Sequence, residues 1–90
     1  MNSMTMNELF EAIKAILVEH PHTHSSTLLA KALASACSSA YGVSLLDCSV
    51  TLDADNKPYI WALANVRSLN GYSNALQDET LRWLKQQEYI

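Results

Sequence analysis

Apolar residues in the first part of the chain recur at the spacing of an amphipathic helix. Thr5 and Glu8 fit a capping box, in which the Thr5 side chain accepts a hydrogen bond from the Glu8 backbone and the Glu8 side chain reaches back. Pro21 ends the pattern, because a proline disfavours helical geometry in the residue before it. The sequence therefore predicts a first helix, whose apolar side is formed by Leu9, Ile13, Ile16, Leu17 and His20.

A second helical pattern follows the segment 21–24. Ser25 or Ser26 suits the N-cap, and Gly42 suits the left-handed position after a helix that runs to about Tyr41. The stretch 32–46 contains no charged residue, whereas a helix that faces solvent normally shows a charged stripe. We therefore expect this helix to be covered on most sides by its own domain, by a second copy of the chain or by another protein.

The next segment alternates between apolar and polar residues. This period of two over residues 46–53 predicts a strand with one face exposed to solvent. Its apolar face is formed by Leu46, Cys48, Val50 and Leu52. The polar residues 53–57 predict a turn, and a second strand follows from about Tyr59, with Pro58 near its start. The hairpin is favoured because a lone strand would have no antiparallel neighbour.

A helix is the competing interpretation of residues 59–69. Asp55 would then be the cap, Pro58 would lie in the first turn and Gly71 would follow the end of the helix. Its apolar side would be formed by Tyr59, Ala62, Leu63, Val66 and Leu69. A last helix is predicted after the cap Ser73, with one face formed by Leu76, Thr80, Trp83 and Leu84. The apolar chain end is expected to pack onto another surface.

Together these elements predict one small α+β domain over residues 1–90, in the order α-α-β-β-α, with the helices on one face of an antiparallel hairpin. An all-α helical bundle is the alternative. Apolar residues make up 49% of the chain and charged residues 17%, which is typical of an ordered globular protein. Because a domain of 90 residues buries a modest share of its surface, we expect a homodimer in which hairpin edges or second helices meet.

The net charge of −3 argues against nucleic-acid binding, because the six basic residues are scattered along the chain and form no cluster. Weak binding through Arg67, Arg82 and Lys85 with Trp83 is kept as an alternative. The N-terminal residues show no signal-peptide pattern, and no apolar stretch is long enough to cross a membrane, so we expect a cytoplasmic protein.

Three histidines at alternate positions form the only candidate metal site, because alternate side chains of an extended segment point the same way. These are His20, His22 and His24. The chain supplies no obvious fourth ligand nearby, and a solvated linker with three imidazoles is the simpler interpretation. A response to pH through the same histidines is a further alternative.

No catalytic arrangement or nucleotide-binding motif is recognisable, and we predict neither an enzyme nor a bound cofactor. The two cysteines, Cys37 and Cys48, are expected to be buried thiols, although a bridge between them is left open. The leading hypothesis is a small protein-interaction or regulatory protein of the adaptor or inhibitor type. Small and aromatic side chains supply its candidate interface, formed by Ala36, Ala40, Tyr41, Tyr59, Trp61 and Trp83.

Overall fold

The computed structural model describes residues 4–90, so residues 1–3 of the predicted domain lie outside the described residues. Its elements are α1 (Met6–Glu19), α2 (His24–Cys37), α3 (Leu45–Thr51), α4 (Lys57–Ala64), a 3₁₀ turn (Val66–Ser68) and α5 (Asn74–Gln86). None of the described residues forms a strand. The predicted α+β fold with its antiparallel hairpin is therefore wrong, and the chain folds as a small all-helical domain.

Helix α1 begins where the capping box predicts. The backbone N–H of Glu8 donates to Thr5 Oγ1 at 3.1 Å, and the backbone N–H of Thr5 donates to Glu8 Oε1 at 2.8 Å. The helix ends at Glu19, two residues before Pro21, as expected from the backbone preference of a residue that precedes proline. Its inner side is buried and consists of Met6, Leu9, Phe10, Ile13 and Leu17.

Helix α2 lies at the centre of the fold and contacts all four other α-helices. It begins after Thr23, whose side chain accepts from the backbone N–H of Ser26 at 3.1 Å, and it ends at Cys37. The predicted caps, Ser25 or Ser26 at the start and Gly42 after Tyr41, were therefore wrong. Its charge-poor surface is covered by the protein's own helices as far as Ala34, with buried residues Leu28, Leu29, Ala30, Ala32, Leu33 and Ala34.

Helix α3 occupies the segment that was predicted as the first strand. Ser44 caps it, since its side chain accepts from the backbone N–H of Asp47 at 3.1 Å. The alternating apolar residues separate into two pairs with the i,i+4 spacing of a helix. Cys48 and Leu52 face the core and are buried, whereas Leu46 and Val50 point outwards and are exposed.

Helix α4 replaces the predicted second strand. Pro58 lies in its first turn, where a missing backbone N–H costs nothing because those donors have no partner inside the helix. The preceding turn is closed by Asp53, whose Oδ1 accepts from the backbone N–H of Asn56 at 2.9 Å. Ile60 and Leu63 bury the inner side of α4. The helical alternative for residues 59–69 is thus correct in type, although the α-helix ends at residue 64.

Helix α5 begins after Ser73, as predicted, with the Ser73 hydroxyl oxygen accepting from the backbone N–H of Leu76 at 3.2 Å. Thr80 and Leu84 are fully buried on its inner side. The Gln77 side chain donates to the Ala36 carbonyl oxygen at 3.0 Å and so ties α5 to the end of α2. These two helices frame one half of the core.

Candidate functional site

The most unusual feature of the surface is a group of large apolar side chains on α3 and α4. We call it the α3–α4 face and define it by Leu45 (64% exposed), Leu46 (72%), Val50 (78%) and Trp61 (66%). Single exposed apolar residues are common on soluble proteins, whereas contiguous apolar patches mark surfaces that bind other molecules. This grouping makes the face the best candidate for a functional site.

The buried residues of α3 and α4 determine which of their side chains point into solvent. On α3, burial of Cys48 and Leu52 fixes the rotation of the helix, so that Leu46 and Val50 are left on the opposite side. On α4, Ile60 and Leu63 are buried in the same way, and Trp61 lies on the solvent side between them. The exposed apolar residues therefore follow from how the short helices are anchored.

A narrow cleft between α3 and α4 joins two members of the face. Leu45 and Trp61 both line this cleft, which has a volume of about 90 Å³. Lys57 lines it as well and is the only charged residue that does. A cleft with a tryptophan, a leucine and a single cation at its edge fits an apolar side chain better than a charged ligand.

A larger groove lies beside the cleft and shares Leu45 and Ile60 with it. The groove has a volume of about 440 Å³ and runs between α2 and α4. Small and aliphatic side chains form its walls, among them Ala32, Ala36, Ile60, Ala64 and Val66. Ser35 is the one polar residue that lines it, so the groove offers a single polar side chain to orient a ligand.

Charged residues of both signs lie on α3 and α4 or directly after them in the chain. Asp47 lies on α3 next to Leu46, Lys57 lies at the start of α4, and Arg67 follows the groove residue Val66. None of the three forms an ion pair within residues 4–90. The Arg67 guanidinium stands 5.7 Å from the centre of the Tyr72 ring. The edge of the face thus carries unpaired acidic and basic groups.

The predicted interface residues are spread over several parts of the fold. Trp61 lies in the α3–α4 face and Ala36 lines the adjacent groove. Tyr59 is half-buried on α4 and packs against the core. Ala40 and Tyr41 lie in the connection after α2, the first exposed and the second half-buried.

Trp83 lies elsewhere, on α5, where Lys14 Nζ is 5.5 Å from the centre of its ring. Leu45, Leu46 and Val50 were not among the predicted interface residues, and Leu46 and Val50 were assigned instead to the apolar side of a strand. The signal that would have found Leu46 and Val50 is their i,i+4 spacing, which in a helix puts them on the side opposite Cys48 and Leu52.

The three histidines are not brought together. His20 follows the end of α1, with its Nε2 3.9 Å from Glu19 Oε1. His22 stacks on Tyr89, and His24 is the first residue of α2. No group of three or more His, Cys, Asp or Glu side chains that could hold a metal ion occurs from Met4 to Ile90.

Both cysteines are free thiols in the structure, so no bridge joins Cys37 and Cys48. Burial raises the pKa of the Cys37 thiol to about 12, and a thiol with so high a pKa is a poor nucleophile at neutral pH. The basic residues considered for nucleic-acid binding are also separated: Arg67 stands beside Tyr72, whereas Arg82 and Lys85 lie on α5.

No protein-family model matches this chain, and comparison with curated proteins and with solved structures gives no match either. Within the part of the chain that the structure describes, no helix has both the length and the apolar character needed to cross a membrane. The geometry of this surface is therefore the main indication of function.

Proposed function

We propose that this protein acts by binding protein, that the α3–α4 face is its contact surface, and that the bound chain is a second copy of itself. One observation carries the proposal: two short helices of a domain of only 90 residues leave four large apolar side chains 64–78% exposed, namely Leu45, Leu46, Val50 and Trp61. Burying one such side chain contributes roughly 1.5–3 kcal/mol relative to leaving it in water.

The chemistry of the surface supports a protein as the ligand. Tryptophan is enriched among the residues that dominate binding energy, because it combines a large apolar area with one polar tip. Trp61 is flanked by aliphatic side chains, and the charged residues Asp47, Lys57 and Arg67 stand at the edge. An apolar centre with a polar rim is the usual composition of a protein–protein interface.

A second copy fits this surface because its edge carries both signs of charge. Two copies related by a two-fold axis present the same residues to each other, so a surface with charge of one sign would repel itself. Here both acidic and basic residues lie on α3 and α4 or in the connections next to them, and the net charge of the chain is only −3. A stable dimer buries about 800 Å² per partner, which is about one-seventh of the 5304 Å² of this chain.

The test is the molecular mass in solution, measured by sedimentation equilibrium over a series of protein concentrations. We expect the wild-type chain to approach twice its 10.0 kDa as the concentration rises. The double variant Leu46→Glu/Val50→Glu should stay monomeric, because a dimer would bury two unpaired carboxylates per chain. Circular dichroism checks that each variant remains helical.

Val18 provides the matched control. It is 65% exposed on α1, which makes it as accessible as the residues of the α3–α4 face, but it lies outside that face. Val18→Glu should therefore dimerise like the wild type. A wild-type chain that stays monomeric at every concentration would overturn the proposal, and so would a Leu46→Glu/Val50→Glu variant that dimerises normally.

A further inference from the structure

The chain carries both an exposed apolar projection and, beside the α3–α4 face, an apolar hollow. Leu46 and Val50 project from α3 one turn apart, and they form a ridge that the protein's own core does not cover. The groove between α2 and α4 is a hollow of about 440 Å³ with small side chains such as Ala36 and Ala64 in its walls. Leu45, which precedes Leu46 on α3, lines the groove.

The lining of the groove selects an apolar occupant. No charged side chain lines it, and Ser35 is its one polar residue. A charged or strongly polar ligand would lose its hydration there without compensating hydrogen bonds. Aliphatic side chains of the size of Leu and Val would lose only contact with water, which is favourable.

We infer that two folded copies of the chain dock through α3, with Leu46 and Val50 of each copy packed into the α2–α4 groove of the other. The inference rests on the proposed function and adds the arrangement of the dimer. A two-fold contact needs a projection and a matching hollow on the same chain, so that each is used twice. This chain carries both, side by side.

The unpaired charges agree with that arrangement. The acid Asp47 belongs to the helix that carries the ridge, and the base Arg67 directly follows the groove residue Val66. When the ridge of one copy enters the groove of the other, an acid approaches a region with a base, and the same happens on the symmetric side. Neither charge has an ion-pair partner of its own among the described residues.

Two variants separate the ridge from the groove. Ala64→Trp fills the groove, because Ala64 is exposed and lies in its wall, so a larger side chain meets solvent before it meets the core. Leu46→Ala/Val50→Ala removes the ridge and keeps helix-forming residues on α3. The homodimer of either variant contains no intact contact between a ridge and a groove.

A mixture of the two variants restores one of the two contacts. The intact ridge of the Ala64→Trp chain can enter the intact groove of the Leu46→Ala/Val50→Ala chain. We expect each variant alone to dimerise at least about ten-fold more weakly than the wild type, and the mixture to form the heterodimer in preference to either homodimer. Native mass spectrometry distinguishes the three dimers by mass.

Ala75→Trp is the matched control, because Ala75 is also an exposed alanine on a helix but lies on α5, away from the groove. It should dimerise like the wild type. If the wild type dimerises and Ala64→Trp dimerises equally well, the groove is not occupied and this inference fails while the proposed function stands. It fails in the same way if the mixture forms no heterodimer. A monomeric wild type would overturn both.

Discussion

Tyr89, the penultimate residue, stacks on His22 in the connection between α1 and α2. The ring centres are 4.5 Å apart, and the ring planes are inclined by 23°. The Tyr89 hydroxyl accepts from the His22 backbone N–H at 2.9 Å and donates to the Leu17 carbonyl oxygen at 3.4 Å. The chain reaches this position because Glu88 adopts a left-handed conformation with φ of 63°, which turns the backbone back after α5.

Tyr89→Phe should lower stability, because it keeps the stacked ring and removes both hydrogen bonds. We expect a loss of about 1–2 kcal/mol, which corresponds to a fall in Tm of about 4–8 °C per kcal/mol in a domain of this size. Thermal unfolding followed by circular dichroism measures it. Gln86→Ala, at an exposed position on α5, is the control and should change little. A Tyr89→Phe chain as stable as the wild type would show that these hydrogen bonds contribute nothing.

Cys37 should make stability depend on alkaline pH. Burial raises the pKa of its thiol from 9.0 to about 12, so the folded chain retains a proton that the unfolded chain releases above pH 9. This contribution to folding is fully present below pH 9 and is lost as pH rises from 9 towards 12.

The comparison with Cys37→Ala isolates this effect from the other groups that titrate at alkaline pH. We expect the free energy of unfolding of the wild type, minus that of Cys37→Ala, to decrease as pH rises from 9 to 11. Urea denaturation at each pH measures both values. A difference that stays constant over this range would contradict the raised pKa.

Thr80→Val should stabilise the protein. The Thr80 side chain is fully buried, and its hydroxyl has no hydrogen-bond partner among the described residues. Valine has nearly the same shape and leaves no buried polar group unpaired, so we expect a gain of about 1 kcal/mol. Thr80→Ala is the contrasting variant, because it also removes a methyl group and leaves a cavity. Destabilisation by both variants would mean that the hydroxyl is satisfied in solution.

The two glycines should respond to alanine in opposite directions. Gly71 has φ of 79°, a left-handed conformation that disfavours side chains, so Gly71→Ala should cost about 1–2 kcal/mol. Gly42 is not left-handed, and an added Cβ there would meet no atom within 4 Å. Gly42→Ala should therefore stabilise by about 0.4–1 kcal/mol, through the entropy of the unfolded chain. Chemical denaturation of the pair tests this, and equal effects at both positions would contradict it.

Helices α1 and α5 could be predicted from the sequence, because several independent signals agree in each. At α1 the capping box, the helical spacing of apolar residues and Pro21 all give the same boundaries. At α5 the cap Ser73 gives the start of the helix, and the helical spacing of Thr80 and Leu84 gives its buried side. The prediction that the apolar chain end packs onto another surface is also confirmed, since Tyr89 and Ile90 pack against the core.

The short helices could not be assigned, because seven or eight residues fit both periods. Apolar residues at 46, 48, 50 and 52 form one face of a strand, but in a helix they form two opposite faces. Packing against the core distinguishes the strand from the helix. Cys48 and Leu52 are buried in the core, whereas Leu46 and Val50 are exposed. The same ambiguity hid the candidate site, since the strand would have placed all four residues on one buried side.

The central position of α2 determines how the domain unfolds. Because α2 contacts each of the other four α-helices, most of the packing between helices involves its side chains. Once α2 has melted, the main packing that remains is between α1 and α4, so partly folded forms have little to stabilise them. The domain should consequently lose its structure in a single cooperative step, with all helices disappearing over the same narrow range of temperature.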